Sequence, residues 1–383
     1  MIRSFLSDRI LAGGETLSGA VRVEDGVIRE ISPAPLPSDE TVDLRGKILS
    51  AGLIDVHTHG GGGRPFLTES EDDVIGASLY HLRHGVTSIL PTFSAAPFPE
   101  MRAAALAVKR AMESGLFPGR ILGVHMEGPY LSPRQCGAQC PLFITPPRPE
   151  EYESLVRELP GVVLRWTYAP EEDPDGVFCR FLSSHGILPS AGHTDAVLKD
   201  VETAAENGMR LVTHLYSCTS TVTRDHGFRR LGVVESAFLL DDLYCEIIAD
   251  GRHLPPPLIR MILKIKGEDR VALVSDSLAL AGTEETEGTM AGTDYVIEDG
   301  VCKLRDRSAF AGSIASGFDL IRVIRDDCGI PLARAVKMMT EVPSSLLGLP
   351  VGKLEPGYRA DLIAFNDALR LERAFVDGEP VSL

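Results

Sequence analysis

The chain lacks a disulfide framework. Its seven cysteines are odd in number and form no CxxC pair; Cys136 and Cys140 lie four apart, with no second pair to complete a zinc ribbon. All seven read as reduced thiols of a cytoplasmic protein. A core drawn from 383 residues needs no such staples. Positive charge is also scarce: 38 Lys and Arg against 54 Asp and Glu give a net −16. That argues against nucleic acid or an anionic membrane surface as a partner, although a local arginine cluster can still bind an anionic small molecule. No apolar run approaches the roughly 18 residues of a membrane span, and the first fourteen residues hold no apolar stretch of the signal-peptide kind. No glycine-rich strand–turn–helix fingerprint supports a doubly wound open sheet.

What the sequence has is alternation. Apolar runs at 53–56, 87–90, 121–126, 162–167, 187–190, 211–213, 244–249 and 271–274 are mostly continuous Val, Ile and Leu. Such runs suit parallel strands buried on both faces. Between them, 101–112, 149–159, 196–207 and 256–264 have helical periodicity, with Asp195 placed to cap the third. Eight strand–helix repeats predict an α/β fold, a closed (β/α)8 TIM barrel over 51–349. The two ends read differently. Residues 17–23 and 27–31 flank Glu24-Asp25-Gly26, a strong hairpin signal. Short strand-like pieces recur after Gly352. Residues 1–50 and 350–383 are therefore expected to build one small β-sandwich domain together.

Polar residues follow the strand-like runs: His57 and His59 the first, Glu127 the third, and His193 the fifth. His214 follows the sixth, His253 the seventh and Asp276 the eighth. In a barrel, the C-terminal strand ends converge on one face, so residues from 57 to 276 would meet in one pocket. Positions i and i+2 of a strand share a face, which lets His57 and His59 reach one metal. Imidazoles and carboxylates suit Zn²⁺, with Fe²⁺ and Mn²⁺ also compatible. A catalytic metal keeps one position open for water, whose pKa it brings to about 7. Asp276 then suits the base that takes the water proton and passes it to the leaving group. A lone His-x-His or a lone Asp after an apolar run is commonly structural. Five of the ten histidines falling at strand ends in barrel order is not readily accidental. His81 and His84 read as non-functional, and His125, His185 and His226 as supporting or surface residues.

At these residues the chain resembles the amidohydrolase superfamily, and within it the N-acetylglucosamine-6-phosphate deacetylases. The resemblance runs from Asp55-Val56-His57-Thr58-His59-Gly60 through His125-Met126-Glu127-Gly128-Pro129, Ala191-Gly192-His193 and Thr213-His214-Leu215. It continues through Asp250-Gly251-Arg252-His253 and Val274-Ser275-Asp276 to Ala311-Gly312-Ser313. It implies a hydrolase acting on a linear amide C–N bond of an N-acetyl amino sugar 6-phosphate, with one or two divalent ions, most simply Zn²⁺. Glu127, His193 and His214 would ligate the main ion, with His57 and His59 completing a second site. His253 would polarise the amide carbonyl, Asp276 would be the acid/base, and Ala311, Gly312 and Ser313 would line the sugar pocket. The resemblance also implies a homodimer, because a neighbouring subunit can supply a phosphate-binding arginine. Three segments depart from the family pattern: Ser217-Cys218 where Asn and a small residue are usual, Gln139 after Ala138 where His is usual, and Arg229 in place of an Arg-Glu-Pro-Gly segment. Ala138, Gln139, Ser217, Cys218 and Arg229 are therefore read as substrate contacts. Deacylation of another N-acyl compound, an N-acyl amino acid or an unphosphorylated sugar, stands as the alternative.

Overall fold

A computed structural model describes all 383 residues. Eight parallel strands form the barrel: Leu53–Thr58, Val86–Phe93, Val124–Glu127, Val163–Tyr168, Leu188–Ala191, Leu211–Val212, Tyr244–Ile247 and Val271–Leu273. Each pairs with the next in chain order. The eighth strand meets the first beyond its own end: Asp276 N–H donates to His57 O (2.9 Å) and His59 N–H donates to Ser277 O (2.8 Å). The expected strand at 121–126 is interrupted. Arg120–Ile121 pairs low on its neighbour, and Gly123 turns the chain at φ 151° before Val124. A Cβ there would lie 2.4 Å from Val162 O.

Helices cover the barrel where the periodicity placed them, among them Phe98–Ser114, Pro149–Glu158, Leu198–Glu206 and Pro256–Lys266. In Phe98–Ser114, Met101, Ala104, Ala105 and Val108 form the apolar stripe and are all buried. Asp195 does not cap its helix. Thr194 Oγ1 accepts from Ala196 N–H, which keeps the chain in a turn, so the helix starts later. The carboxylate of Asp200 then accepts from Val197 N–H at 2.9 Å, while Asp195 faces Arg134 and Gln135.

Strands from both ends share one bent eight-stranded sheet. Its order is Glu379–Val381, Leu371–Val376, Leu362–Phe365, Ile48–Ala51, Ile2–Ala12, Glu15–Glu24, Val27–Ser32, with Glu40–Asp43 also on Ile2–Ala12. The bend lies where the register of Ile2–Ala12 shifts between Ser7 and Ile10; its partner on one side changes there from Glu40–Asp43 to Ile48–Ala51. The sheet wraps its own core, including Phe5, Val21, Ile28, Leu49, Leu362 and Phe375. Asp25 (φ 50°) and Gly26 (φ 77°) make the expected left-handed turn. Gly352-Lys353-Leu354 is not a strand.

Two elements went unread in the sequence. An antiparallel meander, Glu287–Met290, Thr293–Glu298, Val301–Leu304 and Phe310–Gly312, follows the eighth barrel strand. Its Asp299-Gly300 turn (φ 54° and 77°) repeats the Asp25-Gly26 signal. A small hairpin, Thr223–Asp225 with Phe228–Arg230, projects after the sixth strand.

Gly52 joins the terminal sheet to the barrel, its N–H donating to Asp361 O. A Cβ there would lie 1.9 Å from Thr87 Oγ1 and 2.5 Å from Thr87 Cγ2. Gly52→Ala should therefore destabilise by about 1–3 kcal/mol through overpacking, read as a lower melting midpoint. Adding Thr87→Ala should recover part of the loss. An unchanged midpoint in the single variant would contradict the close approach.

Candidate active site

The strand ends deliver their side chains to a cavity of about 250 Å³. His59, Glu127, His193, His214, His253 and Asp276 line it, with Ala138, Gln139, Ser217, Cys218, Ala311 and Gly312. His57 lies fully buried directly behind, its ring 5.3 Å from that of His59. Two donor groups form, His57–His59–Asp276 and Glu127–His193–His214, the donor atoms of each lying within 4.8 Å of one another.

Glu127 is the hub. Its Oε1 lies 3.0 Å from His214 Nε2 and 3.3 Å from both His193 Nε2 and His57 Nε2. Its Oε2 lies 3.3 Å from His59 Nε2. Asp276 Oδ1 sits 3.2 Å from His59 Nε2 and 3.5 Å from His57 Nε2. Two donors on one tetrahedral ion, with bonds of about 2.0–2.1 Å, stand roughly 3.3–3.4 Å apart. The observed separations match that spacing. His57 Nε2 is buried without a hydrogen-bond partner, as a nitrogen aimed at a cation would be. The residues thus fit a divalent ion.

The ring nitrogens facing away from the donor groups are held by different means. His57 Nδ1 bonds Glu246 Oε1 at 2.5 Å, His59 Nδ1 meets Ser94 Oγ at 3.2 Å, and His193 Nδ1 bonds Gln135 O at 3.0 Å. Gln139 bridges Ala95 N–H and Glu127 Oε2, at 2.7 Å each. His253 Nδ1 donates to Asp250 Oδ2 at 2.8 Å, so Nε2 is the free end of a ring that borders the cavity.

Electrostatics and strain concentrate here. Burial opposes protonation of His57, but Glu246, Glu127 and Asp276 outweigh it and lift its pKa to about 10. Burial likewise opposes the charged form of Glu127, yet His57 and His193 hold it well below the usual carboxylate range. The site therefore demands positive charge near its carboxylates. Of the twelve non-glycine residues with positive φ, five border this cavity: His193 (47°), His214 (27°), Tyr216 (76°), Cys218 (49°) and Asp276 (47°). Left-handed backbone costs of order 1–3 kcal/mol per residue and collects at functional sites.

Two expected contacts lie elsewhere. Arg229 sits on the exposed Phe228–Arg230 strand, its guanidinium bonded to Gly227 O, and does not line the cavity. Arg224 and Arg230 are exposed on the same hairpin. No Lys or Arg lines the cavity. Ser313 is buried and does not line it either: its Oγ donates to Ser275 O, which braces the turn carrying Asp276. The other histidines do not line the cavity. His81 bridges Thr58 Oγ1 and Gly60 O, and His84 bonds Tyr80 O. His125 lies between Thr92 and Thr167, with its ring edge-on to His57. His185 and His226 are exposed. The sequence reading missed Glu246 and Arg165, a fully buried ion pair beneath the site at 2.6 Å.

Comparison with known proteins agrees with this geometry. The model of the amidohydrolase family matches residues 48–381. The chain is similar to N-acetylglucosamine-6-phosphate deacetylase of Haemophilus influenzae, 31% identical over 361 residues covering 91% of this chain and 92% of that one. It is also similar to N-acetylgalactosamine-6-phosphate deacetylase of a Shewanella species, 30% identical over 374 residues covering 96% and 92%. Among solved structures, a variant of N-acetylglucosamine-6-phosphate deacetylase from Mycobacterium smegmatis, in complex with N-acetylglucosamine-6-phosphate, superposes with a TM-score of 0.91. Its identity is 27%, and the match covers all of both chains. The deacetylase of Pasteurella multocida superposes equally well at 28% identity. No helix is long and apolar enough to cross a membrane.

Chelator-stripped protein should melt lower than protein with excess Zn²⁺ or Mn²⁺; an ion at about a hundred times its Kd adds about 2.7 kcal/mol of stability. Glu127→Ala should abolish that response, since both donor groups face this carboxylate. Equal melting midpoints with and without ion in the parent would count against the metal fit.

Proposed function

This chain belongs to the amidohydrolase family, and from that premise we propose that it removes the acetyl group of an N-acetylated amino sugar 6-phosphate, releasing acetate and the free amine. N-acetylglucosamine 6-phosphate is the first choice. The observation that carries the reading is the convergence of Glu127, His193 and His214 with His57, His59 and Asp276 at a barrel mouth. We assign the chemistry to residues 51–349 and a supporting β domain to 1–50 and 350–383.

A divalent ion held by these residues, two when both donor groups are filled and most simply Zn²⁺, supplies a water of lowered pKa and polarises the amide carbonyl. The chain's own groups do the rest. Asp276, on its strained turn, accepts the proton of the attacking water and hands it to the departing nitrogen. His253, oriented by Asp250, directs Nε2 at the acetyl oxygen; donation from there calls for the doubly protonated ring, with Asp250 as counterion. Ala311 and Gly312, with Ser217 and Cys218, line the space for the sugar.

One observation favours a second reading. The cavity offers no cationic side chain to a phosphate, which suits an unphosphorylated N-acyl sugar or amino acid. The first reading meets this with a homodimer, in which a second copy brings an arginine of the exposed hairpin, Arg229 first, to the site.

Acetate release from N-acetylglucosamine 6-phosphate, its galacto epimer, the unphosphorylated sugars and N-acetyl amino acids separates the two. A kcat/KM at least tenfold higher for a 6-phosphate supports the first reading; preference for an unphosphorylated substrate reverses it. Asp276→Asn should lower kcat by about 10²–10⁴ while the protein still retains metal. Near-parent turnover would remove Asp276 from its role.

A further inference from the structure

We propose that Glu246 is a positioning residue that indexes one histidine of each donor group at once, held in place by Arg165. The inference rests on the metal reading above and is independent of the substrate.

Glu246 lies in the barrel strand Tyr244–Ile247 and is fully buried. Its Oε1 accepts from His57 Nδ1 at 2.5 Å and from the backbone N–H of His214 at 3.2 Å. His57 belongs to one donor group and His214 to the other. In the neutral ring, the form that binds a cation, Nδ1 donation leaves the lone pair of His57 on Nε2, the atom that faces Glu127 and Asp276. The carboxylate therefore selects the tautomer able to bind a cation.

The contact to His214 matters for a different reason. His57, His59 and His193 each have a partner at Nδ1. His214 Nδ1 is buried and has none. Its ring direction therefore depends on its backbone, which is left-handed at φ 27°. The Glu246 oxygen holds that backbone N–H, and His214 Nε2 comes to 3.0 Å from Glu127 Oε1.

Arg165 explains why the group is a carboxylate. Its guanidinium, fully buried, lies 2.6 Å from Glu246 Oε2. It donates hydrogen bonds to Val56 O, Ser190 Oγ and Thr213 Oγ1. That ties the fourth strand to the first, fifth, sixth and seventh, and fixes Glu246 from below. A pair serving only to hold the strands together would leave Oε1 free of the ligand histidines.

The test removes the charge without stranding its partner. Arg165→Met with Glu246→Gln eliminates both buried charges, so neither is left uncompensated. Glu246→Gln alone is measured in parallel, should the double variant fold poorly. Zn²⁺ affinity is read by chelator competition, and folding by circular dichroism and melting of the metal-free forms. The expected result is a folded protein whose affinity falls about 10–100-fold at both positions. His59→Ala, by contrast, should weaken one position only. Parent-like affinity in a folded variant overturns the proposal. So does a loss confined to the His57 position, because the claim is that one carboxylate serves both. A parent that binds no Zn²⁺ would sink the metal reading together with this one, whereas a metal-binding parent that fails to deacetylate amino sugars fails only in the substrate assignment.

Discussion

The structure depends on how four carboxylates can be buried together. Asp55, Glu127, Glu246 and Asp276 are all at most 7% exposed at one barrel mouth, and Arg165 is the one fully buried guanidinium beside them. Taking such charges out of water costs several kcal/mol each unless they are paired. Arg165 compensates Glu246. Asp55 accepts from the backbone N–H groups of His57 and Ser275, and burial pushes its pKa up to about 6. Glu127 and Asp276 are left to the imidazoles: burial opposes protonation of His59, and the two carboxylates outweigh it and raise its pKa. A divalent ion answers the same demand with more charge in less space. The site is thus an electrostatic hole that the fold builds and that a divalent cation fits.

Closure of the barrel and assembly of the site are the same event. The first and eighth strands meet through His57 O and Asp276 N–H and through His59 N–H and Ser277 O. His57, His59 and Asp276 make up one donor group, and Ser277 follows Asp276 in the chain. The cost of left-handed backbone at His193, His214 and Asp276 is sustained because the strands before them are locked into a closed ring. An open sheet would let those turns relax. This accounts for placing the chemistry at strand ends rather than on longer loops.

The parts of this protein legible in the sequence were those whose side chains announce their chemistry. Continuous Val, Ile and Leu runs marked the parallel strands, and the polar residues just after six of the eight runs marked the mouth. Asp25-Gly26 announced its hairpin through backbone requirements alone. What was missed shared a different character. Glu246 and Arg165 lie inside runs read as apolar, yet a charged residue in the middle of a strand buried on both faces has to be paired. That is itself a signal, and the two charges point to each other. The meander of Glu287–Gly312 carried the Asp299-Gly300 turn signal but sat where a barrel helix was due. Asp195 looked like a cap because Thr194-Asp195 precedes the helical pattern; the hydroxyl of Thr194 took the next N–H and moved the start to Leu198. Arg229 had no such signal, since charge on a hairpin does not reveal which way the hairpin points.

The division of labour between barrel and appendages explains why reaction and specificity part company. Metal-facing groups come from strand ends fixed by the closed ring, so their spacing is set by the fold. The wall over the cavity comes instead from the meander, through Met290, Ala309, Phe310, Ala311 and Gly312. Phe310 is half exposed and lies 5.0 Å from the His253 ring, so the meander shapes the space beside the group assigned to the acetyl oxygen. Such a wall can change without disturbing a ligand except at Gly312, where a Cβ would lie 2.9 Å from Asp276 O. The departures at Gln139, Ser217 and Cys218 also lie on loops around the mouth and spare every metal-facing residue. Gln139 shows the constraint on such change: it borders the cavity, yet its amide is committed to Ala95 N–H and Glu127 Oε2. Any change at Gln139 therefore reaches the hub carboxylate, so that one position cannot drift independently of the two donor groups.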